Sequence, residues 1–307
     1  MADRDAPAVL AAPPPHDLAL LVVVIAAVST SAPLIAATAA PTLAIAFWRN
    51  AMSSGVLVPW TLLRHRGELR RLGRRERRLA VVAGIFLAAH FATWVPSVRL
   101  TSVASATALV ATQPIWAALI ARRSGHYIPR RAWIGIAAAV AGAALVTGVD
   151  VTVSGRALLG DLLATVGGLC AAAYVTIGGE VRRSVSTTTY TTVCYLAAAV
   201  ALLAVCAIGG VRLAGYPADA WLKLVALTVG AQFLGHSLAN RVLRTTSPTV
   251  MSLSILFEVP GASLIALLWL GQHPPVAAIP GLLLLLAGVG IVITGSVRGA
   301  APALPAE

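Results

Sequence analysis

The chain is short of charge, and of acidic charge above all. Only 11% of its 307 residues are charged, with 11 acids against 23 basic residues. A soluble domain carries about 25% charged residues, so a water-facing shell around one core is excluded. Cysteine is equally sparse. Cys170, Cys194 and Cys206 lie in apolar stretches with no CxxC spacing, which argues against a disulfide framework or a thiolate metal site. No GxSxG, Walker, dinucleotide-binding or HExxH pattern occurs, so nothing signals a hydrolase, ATP coupling or a zinc helix. Neither a cofactor nor an enzyme is expected. Long polar stretches are missing too, and with them any soluble domain.

What fills the chain instead is apolar sequence, 58% of it hydrophobic at a mean hydropathy of +0.86. Ten apolar stretches can be read, at about 18–38, 41–63, 79–99, 102–121, 132–149, 158–179, 188–209, 219–240, 247–270 and 276–296. Each matches the roughly 20 residues that a helix needs to cross a hydrocarbon layer of about 30 Å. The expected class is an all-α membrane protein with ten transmembrane helices in the lipid bilayer. Short charged or turn-rich breaks separate the spans, among them "RHRGELRRLGRRERR", "RRSGHYIPRR" and "GQHPP". Residues 1–17 are rich in Pro and Ala and are expected to be a disordered cytoplasmic N-terminus, and 297–307 a cytoplasmic tail.

A net charge of +12 invites a nucleic-acid reading, but the placement of the charges points elsewhere. With the N-terminus inside, 18 of the 23 basic residues fall on one face, including all eight arginines of 64–78. That is the positive-inside bias of a multi-pass protein of the cell (inner) membrane with both termini cytoplasmic. The 64–78 run could also hold anionic headgroups. "LALLVVVIAAV" followed by "ATAA" resembles a cleavable signal peptide, but the repeat below needs this span.

The sequence contains itself twice. A shift of 146 residues lays His90 on His236, Pro114 on Pro260, Gly125 on Gly271, Gly135 on Gly281 and Ala141-Gly142 on Ala287-Gly288. The halves are 18–149 and 158–296, with five spans each. An odd number of spans turns the second copy over, so the fold is expected to be two inverted five-helix repeats with a site near the midplane between them.

These segments resemble the EamA-type transporters of the drug/metabolite transporter superfamily, over nearly all of 20–296. The resemblance rests on "IAFWRN", "VRLTSVASATALVATQPIWAALIA", "WIGIAAAVAGAALVTG", "GDLLATVGGLCAAAYVTIG" and "SLSILFEVPGASLIALLWLGQHP", in this order and spacing. It implies ten helices, two EamA-like repeats and transport, in or out, of small metabolites such as amino acids. The first span lacks the Trp common in that family, and Ala171 replaces another, which implies a differently shaped cavity. His126 and Gln272 stand where relatives often carry Glu; as loop positions they carry little weight.

Polar residues inside the spans are the candidate site. A charge at the bilayer centre costs about 2.5–3.5 kcal/mol on insertion scales, so such groups face a bundle interior or a water path. Glu258 is alone in charge between Ser247 and Leu270. Pro260 just after it loosens the helix, and a protonatable carboxylate there suits proton coupling as well as a structural hydrogen bond. Gln232, His236 and Asn240 recur at i, i+4, i+8 and share one helix face, as a lined cavity or as interhelical bonds of about 0.6 kcal/mol each. His90, with Trp94 one turn on, mirrors His236. Gln113-Pro114 is the counterpart of the Glu258–Pro260 segment, with the polar residue one position nearer its proline. Arg49 has three readings: a binder of a substrate carboxylate, a partner of Glu258, or a residue snorkelling outward. Tyr174 is a weaker pocket candidate, and Asp161 reads as a charge at a helix start.

The function expected is a secondary transporter of a small-molecule substrate by alternating access, read as an exporter. A channel or scaffold is the alternative. An intramembrane metalloenzyme fits poorly, because His90, His236 and Glu258 lie on three different spans.

Overall fold

The computed structural model describes residues 15–123, 125, 127–242 and 254–298. Among them every regular element is helical. Helix α1 (Pro15–Ser29) and α2 (Ser31–Ala37) make the first rod, followed by α3 (Thr42–Arg64). A short α4 (Arg66–Arg71) lies within the basic run before α5 (Arg74–Leu100). Next come α6 (Val103–Val110), α7 (Gln113–Arg123), α8 (Arg130–Val153), α9 (Gly155–Val181) and α10 (Thr187–Ile208). Helix α11 (Ala218–Leu227) continues as a π-helical stretch, Thr228–Ser237, into α12 (Leu238–Val242). Helix α13 (Glu258–Leu270), a 3₁₀ turn and α14 (Ile279–Arg298) complete the chain.

Seven helical segments among the described residues are long and apolar enough to cross a membrane. The other expected spans look different for physical reasons. Helix α3 has 23 residues, or about 35 Å, but Arg49, Asn50, Ser53 and Ser54 lower its hydropathy. All four are buried, while Val56, Trp60 and Leu63 of the same helix are exposed. The helix is polar inward and apolar outward, the arrangement that lipid favours. The eighth span is divided by its π-helical stretch, and residues 247–253 of the ninth lie outside the described residues.

The fourth and ninth spans are each broken shortly before a proline, at places that differ by one residue under the 146-residue shift. Helix α6 ends at Val110, and after a turn at Ala111–Thr112 helix α7 begins at Gln113. In the ninth, a turn at Leu256–Phe257 precedes α13. The prolines explain both breaks. Pro114 cannot donate to Val110 O, nor Pro260 to Leu256 O, and the pyrrolidine ring crowds those carbonyls. Val259 N takes up Leu256 O at 3.2 Å instead. Each proline then falls in the first turn of the next half-helix, where its missing N–H costs nothing.

Glycines set the tightest contact, between α8 and α14. A Cβ on Gly142 would sit 2.4 Å from Leu285 N and 2.7 Å from Gly281 O. One on Gly135 would sit 2.7 Å from Gly288 O. The two helices therefore run antiparallel, with Gly142 on Gly281 and Gly135 on Gly288, close enough that only small residues fit. Elsewhere α5 packs along α9, with Gly167 against Trp94 and Gly160 against Thr101. Helix α10 bridges α5 and α3.

Side-chain caps fasten the ends. At the basic end, Glu68 of α4 accepts from Ser186 N, Ser186 Oγ and Thr189 Oγ1, each at 2.6 Å, and so holds the N-cap of α10. At the opposite end, Arg99 donates to Ala40 O at 2.9 Å and also to the carbonyls of Ile35 and Thr38. Gln272 Oε1 accepts from Val103 N at 3.3 Å, at the start of α6. The position that carried little weight in the sequence thus caps a half-helix.

Candidate functional site

A buried guanidinium lies at the centre of the site. Arg49 is one of the largest side chains in the interior, at 1% exposure, and this excludes the snorkelling reading. Its Nε and Nη2 both donate to Gln232 Oε1, at 3.1 and 2.9 Å. Phe91 of α5 offers its ring to the guanidinium at 4.1 Å, a cation–π contact strengthened by desolvation. Nη1 is buried and has no hydrogen-bond partner among the described residues. Tyr195 of α10 lies near Gln232, and both Tyr195 and Glu258 lie within electrostatic reach of Arg49.

Local structure explains the assembly. Gln232 sits in the π-helical stretch, where the wider turn re-aims side chains and where functional sites often occur. Glu258 is the first residue of α13, where the helix dipole favours a carboxylate. Gln113 holds the same place in α7. The prolines thus deliver one polar side chain to the head of each half-helix.

The other predicted residues are placed differently. His90 Nδ1 lies 2.9 Å from Gly167 O on α9, and its ring stacks on Trp94 at 5.6 Å and 12°. This pair packs α5 on α9, beside Phe91. Trp94 is buried in the core, and its Nε1 has no partner among the described residues. Tyr174 joins Tyr190, Cys194 and Tyr195 in a hydroxyl and thiol cluster between α9 and α10. The side chains of His236 and Asn240 lie outside the described residues, as does His126. Asp161 is no helix-start charge. It lies two turns into α9, is 2% exposed, and neighbours Asp150, Thr101 and Thr147.

Sequence reasoning missed Tyr195 and Phe91. An aromatic residue in an apolar run looks like packing. The hydroxyl-rich opening of α10, "TTTYTTVCY", was the one available signal. Together, Arg49, Gln232, Glu258, Tyr195 and Phe91 draw on five helical segments and form a cluster around the buried guanidinium.

Residues 17–148 and 158–294 match the model of the EamA-like transporter family, once for each half. Among curated proteins none matches the chain. A crystal structure of a protein is similar in fold, with a TM-score of 0.62 at 18% identity, covering 92% of this chain and 99% of its own. Two copies of the family's repeat, set on apolar helices around a buried polar centre, leave one assignment: the chain is a multi-pass membrane protein that belongs to the EamA-like transporter family, within the drug/metabolite transporter superfamily.

Proposed function

We propose that the chain is a secondary transporter that moves small metabolites such as amino acids by alternating access, in the exporting direction, through the cell (inner) membrane. The observation that carries this reading is Arg49. A guanidinium held at 1% exposure by a glutamine and a phenyl ring, in a protein with a lipid-facing surface, has a large desolvation cost. Such a group is kept where it does something. Glu258, close enough to be acted on by the same charge, is the group through which a proton would couple.

The architecture that goes with this function is ten spans in two inverted five-helix repeats, both termini cytoplasmic. The α8–α14 contact supports inversion. Gly135 meets Gly288, and Gly142 meets Gly281. Under the 146-residue shift, Gly281 is the copy of Gly135 and Gly288 the copy of Gly142, so each contact is the other's image. A pseudo-two-fold axis between the halves produces this exchange. The broken spans, four and nine, are also a pair under that shift.

Transport is tested by flux. A strain overproducing the protein, challenged with amino acids, analogues and toxic metabolites, identifies the substrate through resistance. In proteoliposomes, flux of that compound should saturate with concentration. Flux that rises linearly without limit would mean a pore and overturn the carrier reading.

A further inference from the structure

We infer that Glu68 is the latch of a gate at the basic end of the bundle, and that this gate works against the cavity at the opposite end, one closed while the other is open. The inference rests on the transport reading above and deepens it by naming the segment that moves and the bonds that hold it.

The latch ties the two halves together. Helix α4 links α3 to α5 and buries none of its six residues. Its hold on the second half is the Glu68 carboxylate, which accepts from Ser186 N, Ser186 Oγ and Thr189 Oγ1 at 2.6 Å each. Charge-assisted bonds of that length are strong. The Glu68 side chain is nonetheless 32% exposed, so water can replace each donor when the strap lifts. Helix α10 does not depend on the strap. Ser186 Oγ already accepts from Thr189 N at 3.2 Å, the bond of an ordinary N-cap, and that cap stays when Glu68 leaves. The same end carries two further contacts between the halves. Arg75 meets Glu180 at 3.1 Å, and deeper in the bundle Thr61 Oγ1 lies 2.7 Å from Thr192 Oγ1.

The repeat supplies the comparison. Under the 146-residue shift, Glu68, Ser186 and Thr189 fall on Ala214, Ala40 and Leu43. Aliphatic side chains replace the carboxylate and both hydroxyls. At that place, the end of the bundle away from the basic run, lies a cavity of about 640 Å³. The Ala36–Pro41 turn lines it from the first half, and Arg212, Gly215 and Tyr216 line it from the second. Two bonds cross between the halves beside it, Trp48 Nε1 to Leu213 O at 2.8 Å and Lys223 Nζ to Ala37 O at 3.0 Å, and they leave it open. One end is strapped shut and its image is open. Alternating access rocks one repeat against the other, and packed interfaces exchange between discrete arrangements. Lifting the strap at the basic end therefore goes with closure of the cavity.

The test uses the purified full-length protein in detergent, with Cys170, Cys194 and Cys206 replaced by alanine and one reporter cysteine added. Thr61→Cys reports the latched end, where Thr61 is fully buried. Ala36→Cys reports the cavity. The readout is the rate of reaction with N-ethylmaleimide. Glu68→Ala removes all three bonds of the latch. It should speed labelling at Thr61→Cys about tenfold or more, the scale of a lost charged hydrogen bond, and slow labelling at Ala36→Cys. Should Glu68→Ala not fold, Thr189→Val takes away one bond and leaves the backbone N–H and hydroxyl of Ser186; it should move both rates in the same directions by less. A merely structural cap predicts both rates unchanged, or both faster as the fold loosens. Either result overturns the inference, as does faster labelling at Thr61→Cys with no change at Ala36→Cys. The two readings fail separately. Reporters that move oppositely without any saturable flux keep the gate and remove the carrier, whereas saturable flux with reporters that do not move does the reverse.

Discussion

Glu258→Gln should insert and fold as well as the unaltered protein and yet lose its pH-dependent transport. Glutamine keeps the size of the side chain and most of its hydrogen bonding, and removes only the ability to ionise. Insertion gains if anything, since an ionised acid at membrane depth costs about 2.5–3.5 kcal/mol. Function is another matter. Glu258 heads α13, beside a helix break, with Arg49 as the cation near enough to act on it. If this carboxyl takes up and releases a proton in each cycle, its neutral mimic fixes the site in one charge state. Flux at the optimum should fall by about tenfold or more, equivalent to about 1.4 kcal/mol, and the curve of flux against external pH should flatten. The measurement is flux over a pH series in proteoliposomes, for both proteins at matched protein content. Superimposable curves would make Glu258 a structural residue and end its coupling role.

Gly142→Leu should have the largest effect on folding. The first carbon added at Gly142 meets Leu285 N at 2.4 Å, and at Gly288 one meets Ala139 N at 2.4 Å. These are backbone atoms of the facing helix and cannot swing aside as a side-chain tip can. Overpacking of a well-packed contact costs about 1–3 kcal/mol, sometimes more, and here two whole helices would have to separate. Gly142→Leu and Gly288→Leu should each cut the yield of monodisperse protein severely and lower the melting temperature of what remains. Gly148→Ala, in the same helix but with open space around the new carbon, is the matched control and should behave as the unaltered protein does. Normal yield and stability for both leucine variants would remove the close-packed α8–α14 contact from the account.

Both predictions start from features visible in the sequence, and that is informative about what a membrane sequence discloses. A charge or an amide among aliphatic residues stands out, so Arg49, Gln232 and Glu258 are conspicuous in the bare sequence. The glycine pairs were legible because they recur under the 146-residue shift. Their mutual contact was not, because a shift says nothing about which helices touch. Pro114 and Pro260 announced a disturbance in their spans. The structure adds that the helices stop and restart there, each with a polar residue at its new head. The π-helical stretch around Gln232 left no trace, because helix width follows from tertiary packing and not from local propensity. His90 is a different case: its match to His236 suggested a cavity, and the structure adds that its ring stacks on Trp94 and meets the Gly167 carbonyl, contacts that no sequence pattern announces. Tyr195 and Phe91 were passed over because aromatic side chains do not distinguish packing from binding by sequence alone.

The central claim is that the second half is an upside-down copy of the first, with the Arg49 site between them. Its most direct test compares two positions that the repeat makes equivalent, 73 and 219, both exposed. In a background with Cys170, Cys194 and Cys206 replaced by alanine, Gly73→Cys and Asp219→Cys should react with a membrane-impermeant maleimide from opposite sides. In intact cells the second should label and the first should not; in inverted vesicles the pattern should reverse. Labelling of both from the same side would place the two halves in the same orientation and contradict the account.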